Sequence, residues 1–408
     1  MSSSIISAFA KCFALTVAVF LGAVVAPAAT LTVDDDHVQC PSAAFTSIQA
    51  AVAAASPNDK INVCPGTYHE QVVINKPLTV QGIQVGNDAL SLIQPGPMVP
   101  NTTSLTSGNP SAAIILVDGA SKVSLNHLTV DGTGNNLPGC GPNFFGIYFR
   151  NASGTVDDMA VRNIQLAPSL FGCQTGLGIF VQSNSSGKSK VDILDSSIHD
   201  YQKGAIVANE ANTEVNVSGN QISGIGPTAQ IAQNGIQIGF GAKGTVTNNS
   251  VINHIYSPCT PSGCGASSIN ILIFQSDGTR VFNNSTGNAQ VNIYYEGNRG
   301  EVTGNTIFQT LVFEGIDLIG DRNSAVGNNV KNSGASAVYV LGNKNDVVAN
   351  ILNEAPIGIY QDQPGSDNHL LANDFDNIGQ KIVTAPALAA ATLNQTSAPG
   401  RATSPATP

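Results

Sequence analysis

The sequence carries little charge and no tryptophan. Charged residues make up 11% of its 408 residues, against roughly 25% in an ordinary soluble domain. Its 42% hydrophobic content excludes an intrinsically disordered chain, because disorder requires high charge and few residues to bury. The 27 acidic residues outnumber the 17 basic ones, which gives a net charge of −10. That balance excludes a nucleic-acid partner, since phosphate binding requires clustered Lys and Arg.

Long hydrophobic runs are also missing, apart from one near the N-terminus. Lys11 precedes a run over residues 12–25, and Ala26-Pro27-Ala28 supplies small residues for cleavage. We interpret residues 1–29 as a secretory signal peptide that is cleaved after Ala28 or Ala29. A transmembrane anchor is less favoured, because the run is shorter than the ~18 to 20 residues that span a bilayer. The sequence therefore predicts a secreted or periplasmic protein without membrane insertion.

Cysteine is scarce, and its number is informative. Six of the seven cysteines follow the predicted signal peptide, an even number that is typical of disulfides in an exported protein. Chain order predicts the pairs Cys40–Cys64, Cys140–Cys173 and Cys259–Cys264, one of fifteen pairings that six cysteines allow. The alternative, a zinc site at the last pair with His254 nearby, is less favoured than a loop-closing disulfide.

An internal repeat begins at about residue 190. Segments such as VSGNQI, VTGNTI and AVGNNV share a central asparagine. The repeated residues, spaced by 29, 35, 21, 23, 22 and 23 positions, are Asn220, Asn249, Asn284, Asn305, Asn328, Asn350 and Asn373. Ser196 extends the series backward by 24 positions. Each copy is preceded by a second segment, such as GIFVQS or NIYYEG, that alternates apolar and variable residues as a strand does.

The length of the repeat determines the predicted fold. A unit of about 22 residues cannot bury its own apolar row and must stack on its neighbours. The 3.6-residue period of helical repeats and the consensus of leucine-rich repeats are both missing. We therefore predict an all-β fold, a single-stranded right-handed parallel β-helix in which each repeat is one coil. Equivalent asparagines then lie about 4.8 Å apart and hydrogen-bond along a column.

One domain accounts for most of the chain. We assign residues 30–383 to the β-helix, with roughly eleven to fourteen coils. A capping box at Thr46-Ser47-Ile48-Gln49 predicts a short helix over residues 46–56 that seals the N-terminal end. Residues 384–408, rich in Ala, Pro, Thr and Ser, are interpreted as a flexible tail. We expect the protein to be a monomer.

Residues 45–82 resemble the start of the pectin lyase-like superfamily of right-handed β-helix proteins, in particular pectin methylesterases and NosD-like proteins. Gly66-x-Tyr68-x-Glu70 matches the Gly-x-Tyr-x-Glu signature of the methylesterases. Gly-Thr-Val-Asp over residues 154–157 matches the start of their catalytic segment, which makes Asp157 a catalytic candidate. The Phe-Ile-Phe-Gly that should follow is absent, and a chain without Trp lacks the family's Leu-Gly-Arg-Pro-Trp motif. The resemblance implies the fold and an activity on polysaccharide.

The strand segments also predict which side chains face outward. If the residue after each strand glycine points inward, the next one points outward, which places Ile206 and Ala208 in two outward rows. Aromatic rings pack on sugar faces, while amides and charged groups bind hydroxyls. The candidate carbohydrate-binding residues in these rows are Tyr148, Arg150, Phe180, Gln182, Gln237, Phe274, Tyr294, Tyr339 and Tyr360. Alternatively, the aromatic residues only pack under loops.

Two carboxylates in these rows form a candidate catalytic pair. Glu296 and Asp317 fall on adjacent coils, and glycoside hydrolysis uses two carboxylates that lie close together. The histidines, among them His69, His199 and His254, share no column and are interpreted as surface residues. Calcium is compatible with an acidic exported protein, but the sequence shows no calcium-binding cluster. We therefore predict no cofactor and no metal site.

Cations recur at a second fixed position. Six residues before the repeated Asn or Ser, five of eight positions hold Lys or Arg, namely Lys190, Lys243, Arg299, Arg322 and Lys344. Charges spaced along a rod match charges along an anionic polymer, so these residues predict a ridge that binds a uronate polysaccharide. The alternative is that turn cations keep strand edges apart and the rod soluble.

Two functions follow from these patterns. The first is a secreted protein that binds extracellular or periplasmic polysaccharide, with acidic sugars favoured. The second is an enzyme of the pectin lyase-like superfamily, a lyase, esterase or glycoside hydrolase on pectin-like or alginate-like substrates. The missing catalytic motifs favour the first, and the rows of aromatic residues and carboxylates keep the second open.

Overall fold

The chain winds into a right-handed parallel β-helix, as predicted. A computed structural model describes residues 28–86, 90–259, 264–362 and 367–385. The predicted signal peptide, apart from Ala28 and Ala29, lies outside these residues, as do residues 386–408 of the predicted tail. No helix in the described part of the chain is long and apolar enough to cross a bilayer.

Short strands make up most of the described chain. The one α-helix among the described residues is α1 (Ile48–Ala54), and a 3₁₀ turn covers Pro168–Leu170. The strands are β1 (Thr30–Val33), β2 (Lys60–Val63), β3 (Gly66–Tyr68), β4 (Val72–Ile74), β5 (Thr79–Gly82), β6 (Ser91–Ile93), β7 (Thr102–Thr103), β8 (Pro110–Asp118), β9 (Val123–Asn126), β10 (Thr129–Asp131), β11 (Asn143–Arg150), β12 (Gly154–Asp157), β13 (Ala160–Ile164), β14 (Leu177–Gln182), β15 (Ser189–Leu194), β16 (Ser197–Tyr201), β17 (Gly204–Asn209), β18 (Thr213–Ser218), β19 (Gln221–Thr228), β20 (Asn234–Gly239), β21 (Lys243–Thr247), β22 (Ser250–Tyr256), β23 (Ile269–Phe274), β24 (Arg280–Phe282), β25 (Ser285–Ala289), β26 (Val291–Glu296), β27 (Glu301–Thr303), β28 (Thr306–Thr310), β29 (Ile316–Ile319), β30 (Ser324–Val326), β31 (Asn329–Ser333), β32 (Ser336–Leu341), β33 (Asp346–Val348), β34 (Ile351–Gln361), β35 (His369–Leu371) and β36 (Asp374–Thr384).

From β2 onward, each coil contributes one strand to each of three parallel faces of the rod, while the coil that begins with β1 contributes to the first face alone. The first sheet has thirteen strands, in the order β1-β2-β5-β9-β12-β15-β18-β21-β24-β27-β30-β33-β35. The second sheet runs β3-β6-β10-β13-β16-β19-β22-β25-β28-β31 and the third β4-β8-β11-β14-β17-β20-β23-β26-β29-β32. Strands β34 and β36 bend through both of the latter sheets. The thirteen strands of the first sheet agree with the eleven to fourteen coils predicted and, at one strand spacing each, give a rod of roughly 58 Å.

Chain order gives the disulfide pairs correctly. Bonds join Cys40 to Cys64, Cys140 to Cys173 and Cys259 to Cys264. The first two connect segments 24 and 33 residues apart, so they fasten successive coils to each other. Three such bonds are typical of a protein that folds in an oxidising compartment.

The N-terminal end is closed by helix α1, which is shorter than predicted. Its buried residues Ile48, Ala51 and Val52 cover the apolar interior of the first coil. The N-cap is Ser47, whose side chain accepts a hydrogen bond from the Ala50 backbone N–H. The predicted capping-box partner is wrong, because Gln49 bonds the backbone of Val73 instead.

Glu70 supplies the capping carboxylate in place of Gln49. Its Oε1 accepts from the Ile48 N–H at 2.7 Å, and its Oε2 accepts from the Gln49 N–H at 2.8 Å and the Ser47 hydroxyl at 2.9 Å. The last residue of the Gly-x-Tyr-x-Glu motif therefore fastens the cap. Tyr68 of the same motif donates to the Val33 and Cys64 carbonyls inside the first coils.

We expect Glu70→Ala to lower the free energy of unfolding by about 2 kcal/mol, because two helix N–H groups lose a charged acceptor. Urea denaturation of the mature protein would measure the loss. Glu70→Gln keeps one acceptor oxygen and should lose about half as much. Equal stability of Glu70→Ala and the wild type would show that the cap does not depend on this carboxylate.

The asparagine column is present as predicted and lies inside the rod. Each of its side chains donates from Nδ2 to Oδ1 of the next asparagine at 2.9–3.0 Å, in the order Asn220, Asn249, Asn284, Asn305, Asn328, Asn350 and Asn373. Each Oδ1 also accepts the backbone N–H of the preceding asparagine, and the column begins at the Ser196 N–H. The column therefore fixes the turn between the first and second sheets.

The sequence indicated that His254 is a surface residue, and this is wrong. His254 is fully buried in β22. Its Nδ1 bonds Asn270 Oδ1 at 2.5 Å, and its Nε2 bonds the Tyr201 hydroxyl. Asn270 in turn donates to Asn292 at 2.7 Å, and Asn292 donates to Thr310 at 2.8 Å. A buried polar chain thus crosses the interior, and every link has a partner, as buried polar groups require.

Candidate functional site

The predicted cation ridge forms a regular column only near the C-terminal end of the rod. Arg299, Arg322 and Lys344 occupy the same turn on three successive coils, between the third and first sheets. Their φ angles of 57°, 59° and 59° place all three in the left-handed region, so the three turns share one conformation. All three residues are exposed. Adjacent cations are therefore separated by one strand spacing of about 4.8 Å at the backbone.

Hydrogen bonds on both sides hold this turn. Before the cations, Asp277 Oδ1 accepts the Asn298 N–H, Asn298 Oδ1 the Asp321 N–H and Asp321 Oδ1 the Asn343 N–H, each at 2.8–2.9 Å. After them, a second asparagine column links Asn323, Asn345 and Asn368 in the same way. Sequence reasoning missed this column, although an Asn follows Arg322, Lys344 and Asp367 directly. The cations thus project from a preorganised scaffold.

The two earlier ridge residues do not extend this row. Lys190, Glu214 and Lys243 are neighbours in the register of the first sheet. Lys190 forms an ion pair with Glu214 at 3.0 Å, which raises the pKa of Lys190 through the hydrogen bond and the charge of that carboxylate. Gly278 then occupies the ridge position before Arg299. Arg299 itself lies 3.2 Å from Asp277.

Aromatic residues and carboxylates lie beside the ridge on the outer face of the third sheet. In register across successive coils lie Tyr294, Asp317, Tyr339 and Tyr360. The rings of Tyr339 and Tyr360 stack with centroids 5.9 Å apart and planes at 9°. The Tyr339 hydroxyl donates to Asp362. Tyr360 is half-buried, and burial together with the nearby Asp362 raises its pKa.

The predicted catalytic pair is unequal in exposure. Glu296 is half-buried, and its Oε2 accepts from the Tyr294 hydroxyl at 3.0 Å. Burial raises the pKa of Glu296, and the hydrogen bond from Tyr294 opposes this. Asp317 pairs with Tyr294 on the neighbouring strand and is fully buried. Asp157 lies in the first sheet beside Asn126 and Leu194, so the structure does not bring it to the other two.

Much of the predicted carbohydrate-binding face points away from the interior, as predicted, but is covered rather than open to solvent. Tyr148, Phe180, Gln182 and Gln237 are fully buried. The segment around Thr102–Thr103 folds over this part of the third sheet: Gln182 Oε1 accepts from the Tyr148 hydroxyl at 2.7 Å and from the Leu105 N–H at 3.0 Å. These side chains pack under a loop, which was the alternative interpretation.

The other members of that set differ in exposure. Arg150 is half-buried and pairs with Asp118 at 3.0 Å. Phe274 is half-buried against an apolar cluster, while Tyr294 and Tyr339 are almost wholly buried. Tyr360, which is half-buried, is the member of the predicted set nearest to the C-terminal end of the rod.

The outward rows also shift by one residue at β17. In register, Val207 aligns with Phe180 and Gln237, and Asn209 aligns with Gln182. Ile206 points inward with Ile179 and Ile236, so the predicted positions Ile206 and Ala208 are wrong. The cause is Gly204, which aligns with Leu177 rather than with the inward glycine of the neighbouring strands. A slip of one residue moves a side chain to the opposite face.

A buried polar patch in the same face escaped the sequence reasoning. Lys203 is fully buried, its Nζ donates to the Ala232 carbonyl at 2.7 Å, and burial lowers its pKa to about 7. Nearby, Gln237 donates to Asn209 at 2.9 Å. No sequence signal marks Lys203, because a single Lys before a strand glycine is ordinary in a turn.

Within the described ranges, one group of carboxylates has ligand atoms close enough for a metal ion. Carboxylate oxygens of Asp34, Asp35 and Asp36 lie within 4.8 Å of one another. Each carboxylate already accepts a backbone N–H, from Cys40, Thr67 and Val38 respectively. The cluster is therefore accounted for as part of the first turn.

Comparisons with known proteins bear on the fold. No protein-family model and no curated protein matches the chain. The native GH136 lacto-N-biosidase from Eubacterium ramulus is similar over 86% of this chain and 68% of its own, with 11% identity and a TM-score of 0.54. The N-terminal fragment of gene product 12 of bacteriophage Phi29 is similar over 83% of this chain and 66% of its own, with 13% identity and a TM-score of 0.51. Such a likeness shows the fold alone.

Proposed function

We propose that this protein is exported and binds extracellular or periplasmic polysaccharide, with uronate-containing chains preferred. The observation that carries the proposal is the exposed row of Arg299, Arg322 and Lys344, one cation per coil on a hydrogen-bonded turn. Three disulfides support the compartment, since such bonds persist outside the cytosol.

A row of like charges favours a polyanionic ligand. Cations about 5 Å apart repel one another by roughly 1 kcal/mol in water. On a flexible surface the three cations could move apart. Here the turns share one conformation, which holds the backbones of Arg299, Arg322 and Lys344 in line. A chain of carboxylates along the rod axis would relieve this repulsion at Arg322 and Lys344, whereas Arg299 already lies beside Asp277. The neighbouring Tyr360 ring, which is half-buried, offers apolar surface for a sugar face.

The fold comparison is compatible with this proposal but does not carry it. The Eubacterium ramulus protein is named as a lacto-N-biosidase, which is an activity on a sugar. Because function resides in particular sites rather than in folds, the proposal depends on the ridge residues of this chain.

Replacing the three cations with Gln should weaken binding to polygalacturonate about tenfold, since each exposed charge contributes roughly 0.5 kcal/mol. Affinity electrophoresis of the mature protein would measure this at low salt, and added salt should weaken wild-type binding by screening. The matched control replaces Lys122, Lys188 and Lys331, three exposed cations away from the ridge, with Gln. The proposal fails when both triple variants lose the same affinity, or when a neutral glucan binds as tightly as polygalacturonate.

The second candidate is an enzyme that acts on the same polymers, and Glu296 is the observation that favours it. A half-buried carboxyl with a raised pKa is suited to act as a general acid. Glu296 and Asp317 are not placed as two hydrolase carboxylates are, because Asp317 is buried and cannot reach a polymer on the surface. Incubation with a polysaccharide panel tests this by following unsaturated products, reducing ends and methanol. Binding without any product leaves the first function alone.

A further inference from the structure

The two ends of the rod are closed differently. At the N-terminal end α1 covers the interior. At the other end, in the described part of the chain, no strand pairs with the far edge of β35 or β36. The last interior side chains are Leu370, Phe375, Ile378 and Ile382, which continue columns that are buried one coil earlier. Ile382 is 46% exposed, whereas its neighbour Ile359 is 0% exposed.

A lysine occupies an interior column at this end. Where the chain turns into the third sheet, one inward position holds a small residue or a hydrogen-bonded asparagine on the coils from β11 to β34, after Ile114 on β8. In register order this column contains Gly146, Gly178, Ala205, Gly235, Asn270, Asn292, Gly315, Ala337 and Gly358. The next position, on β36, is Lys381.

Packing explains why a lysine fits this column on β36 but would not fit on β34. A Cβ added at Gly358 would lie 2.6 Å from the Lys381 carbonyl and 2.6 Å from the Phe375 ring. Beyond β36 no further strand of the described residues limits the space. Lys381 therefore extends across the end, and its Nζ lies 5.8 Å from the centroid of the Phe375 ring. Its hydrocarbon stem covers apolar surface while its ammonium group stays in water.

We propose that Lys381 closes the C-terminal end of the rod against a second copy of this chain. An unpaired strand edge with apolar side chains is a template for pairing, and a coil of about twenty residues is as large as one side of a standard interface. A two-fold arrangement would bring two such ends together and trap two ammonium groups between apolar surfaces. Inward-pointing charge is a known protection of sheet edges, and burial of unpaired charge is strongly unfavourable.

The experiment is the substitution Lys381→Leu in the full mature chain. We expect the wild type to be a monomer at all accessible concentrations and Lys381→Leu to double its molar mass in light scattering as concentration rises. Amide hydrogens of β36 should then exchange more slowly in the variant than in the wild type, because the edge becomes paired. Lys381→Arg keeps the charge and should remain a monomer.

Two further variants locate the effect. Lys188→Leu adds the same apolar side chain at an exposed site far from this end and should remain a monomer. Lys381→Leu combined with Ile382→Asp restores charge to the end and should return the protein to a monomer, including where Lys381→Leu alone aggregates. A wild type that already dimerises through β36, or a Lys381→Leu variant that stays monomeric, would overturn the proposal.

Discussion

Asn305→Ala should lower the free energy of unfolding by about 4 kcal/mol, because it leaves at least two buried polar groups without partners at roughly 2 kcal/mol each. The Asn305 side chain accepts from the backbone and the side chain of Asn284, each at 2.9 Å. It donates to the Val281 carbonyl at 3.0 Å and to Asn328 at 2.9 Å. None of these groups can turn toward water, since the column is buried.

The column itself provides graded controls for this prediction. Asn373 lies at the end of the column and accepts from the backbone and side chain of Asn350, but it is half-buried, so water can replace its oxygen and Asn373→Ala should cost less than half as much. Asn329 is an exposed asparagine on the neighbouring strand, and Asn329→Ala should change stability by no more than about 0.5 kcal/mol. Urea denaturation of the three variants measures the order. Equal losses for Asn305→Ala and Asn329→Ala would show that the column is not structural.

The fold could be predicted from the sequence because stacked coils require similar residues at equivalent positions. The same turn recurs on each coil, so the same residue is needed there, and Asn220 through Asn373 show this directly. The disulfides followed for a related reason, since neighbouring coils in space are also neighbours along the chain. A periodic pattern of side chains therefore predicts a fold in which coils that are adjacent in space are also adjacent along the chain.

The candidate site could be predicted only in part, for a physical reason. Whether Tyr148 faces solvent or a loop depends on the segment that reaches Gln182 from more than 70 residues away, and no repeat encodes that contact. The predicted outward rows are wrong at β17 because Gly204 aligns with Leu177 and not with the inward glycine of the other coils. The predicted alignment of Arg299, Arg322 and Lys344 is present, because these coils are regular and no loop of the described residues covers them.

Interior polarity was the other feature that the sequence concealed, because a lone histidine gives no periodic signal. In the structure, the ring of His254 is enclosed by β22 and its neighbours, and its partners are the Tyr201 hydroxyl and the Asn270 amide. Burial lowers the pKa of His254 from 6.5 to about 4, and the hydrogen bond to Asn270 opposes this. The neutral ring satisfies both partners, whereas a protonated ring would place a charge in the interior.

Stability should therefore fall as pH is lowered from about 6.5 to about 4. In that range the unfolded chain binds a proton at this histidine and the folded chain does not, so acid favours the unfolded state, by up to roughly 3 kcal/mol. Above the unfolded pKa the contribution is fully present. His254→Gln should remove this part of the slope in urea denaturation series across pH, while His69→Gln, at an exposed site, should retain it. An NMR titration of His254 with a midpoint near 6.5 in the folded protein would contradict the burial argument.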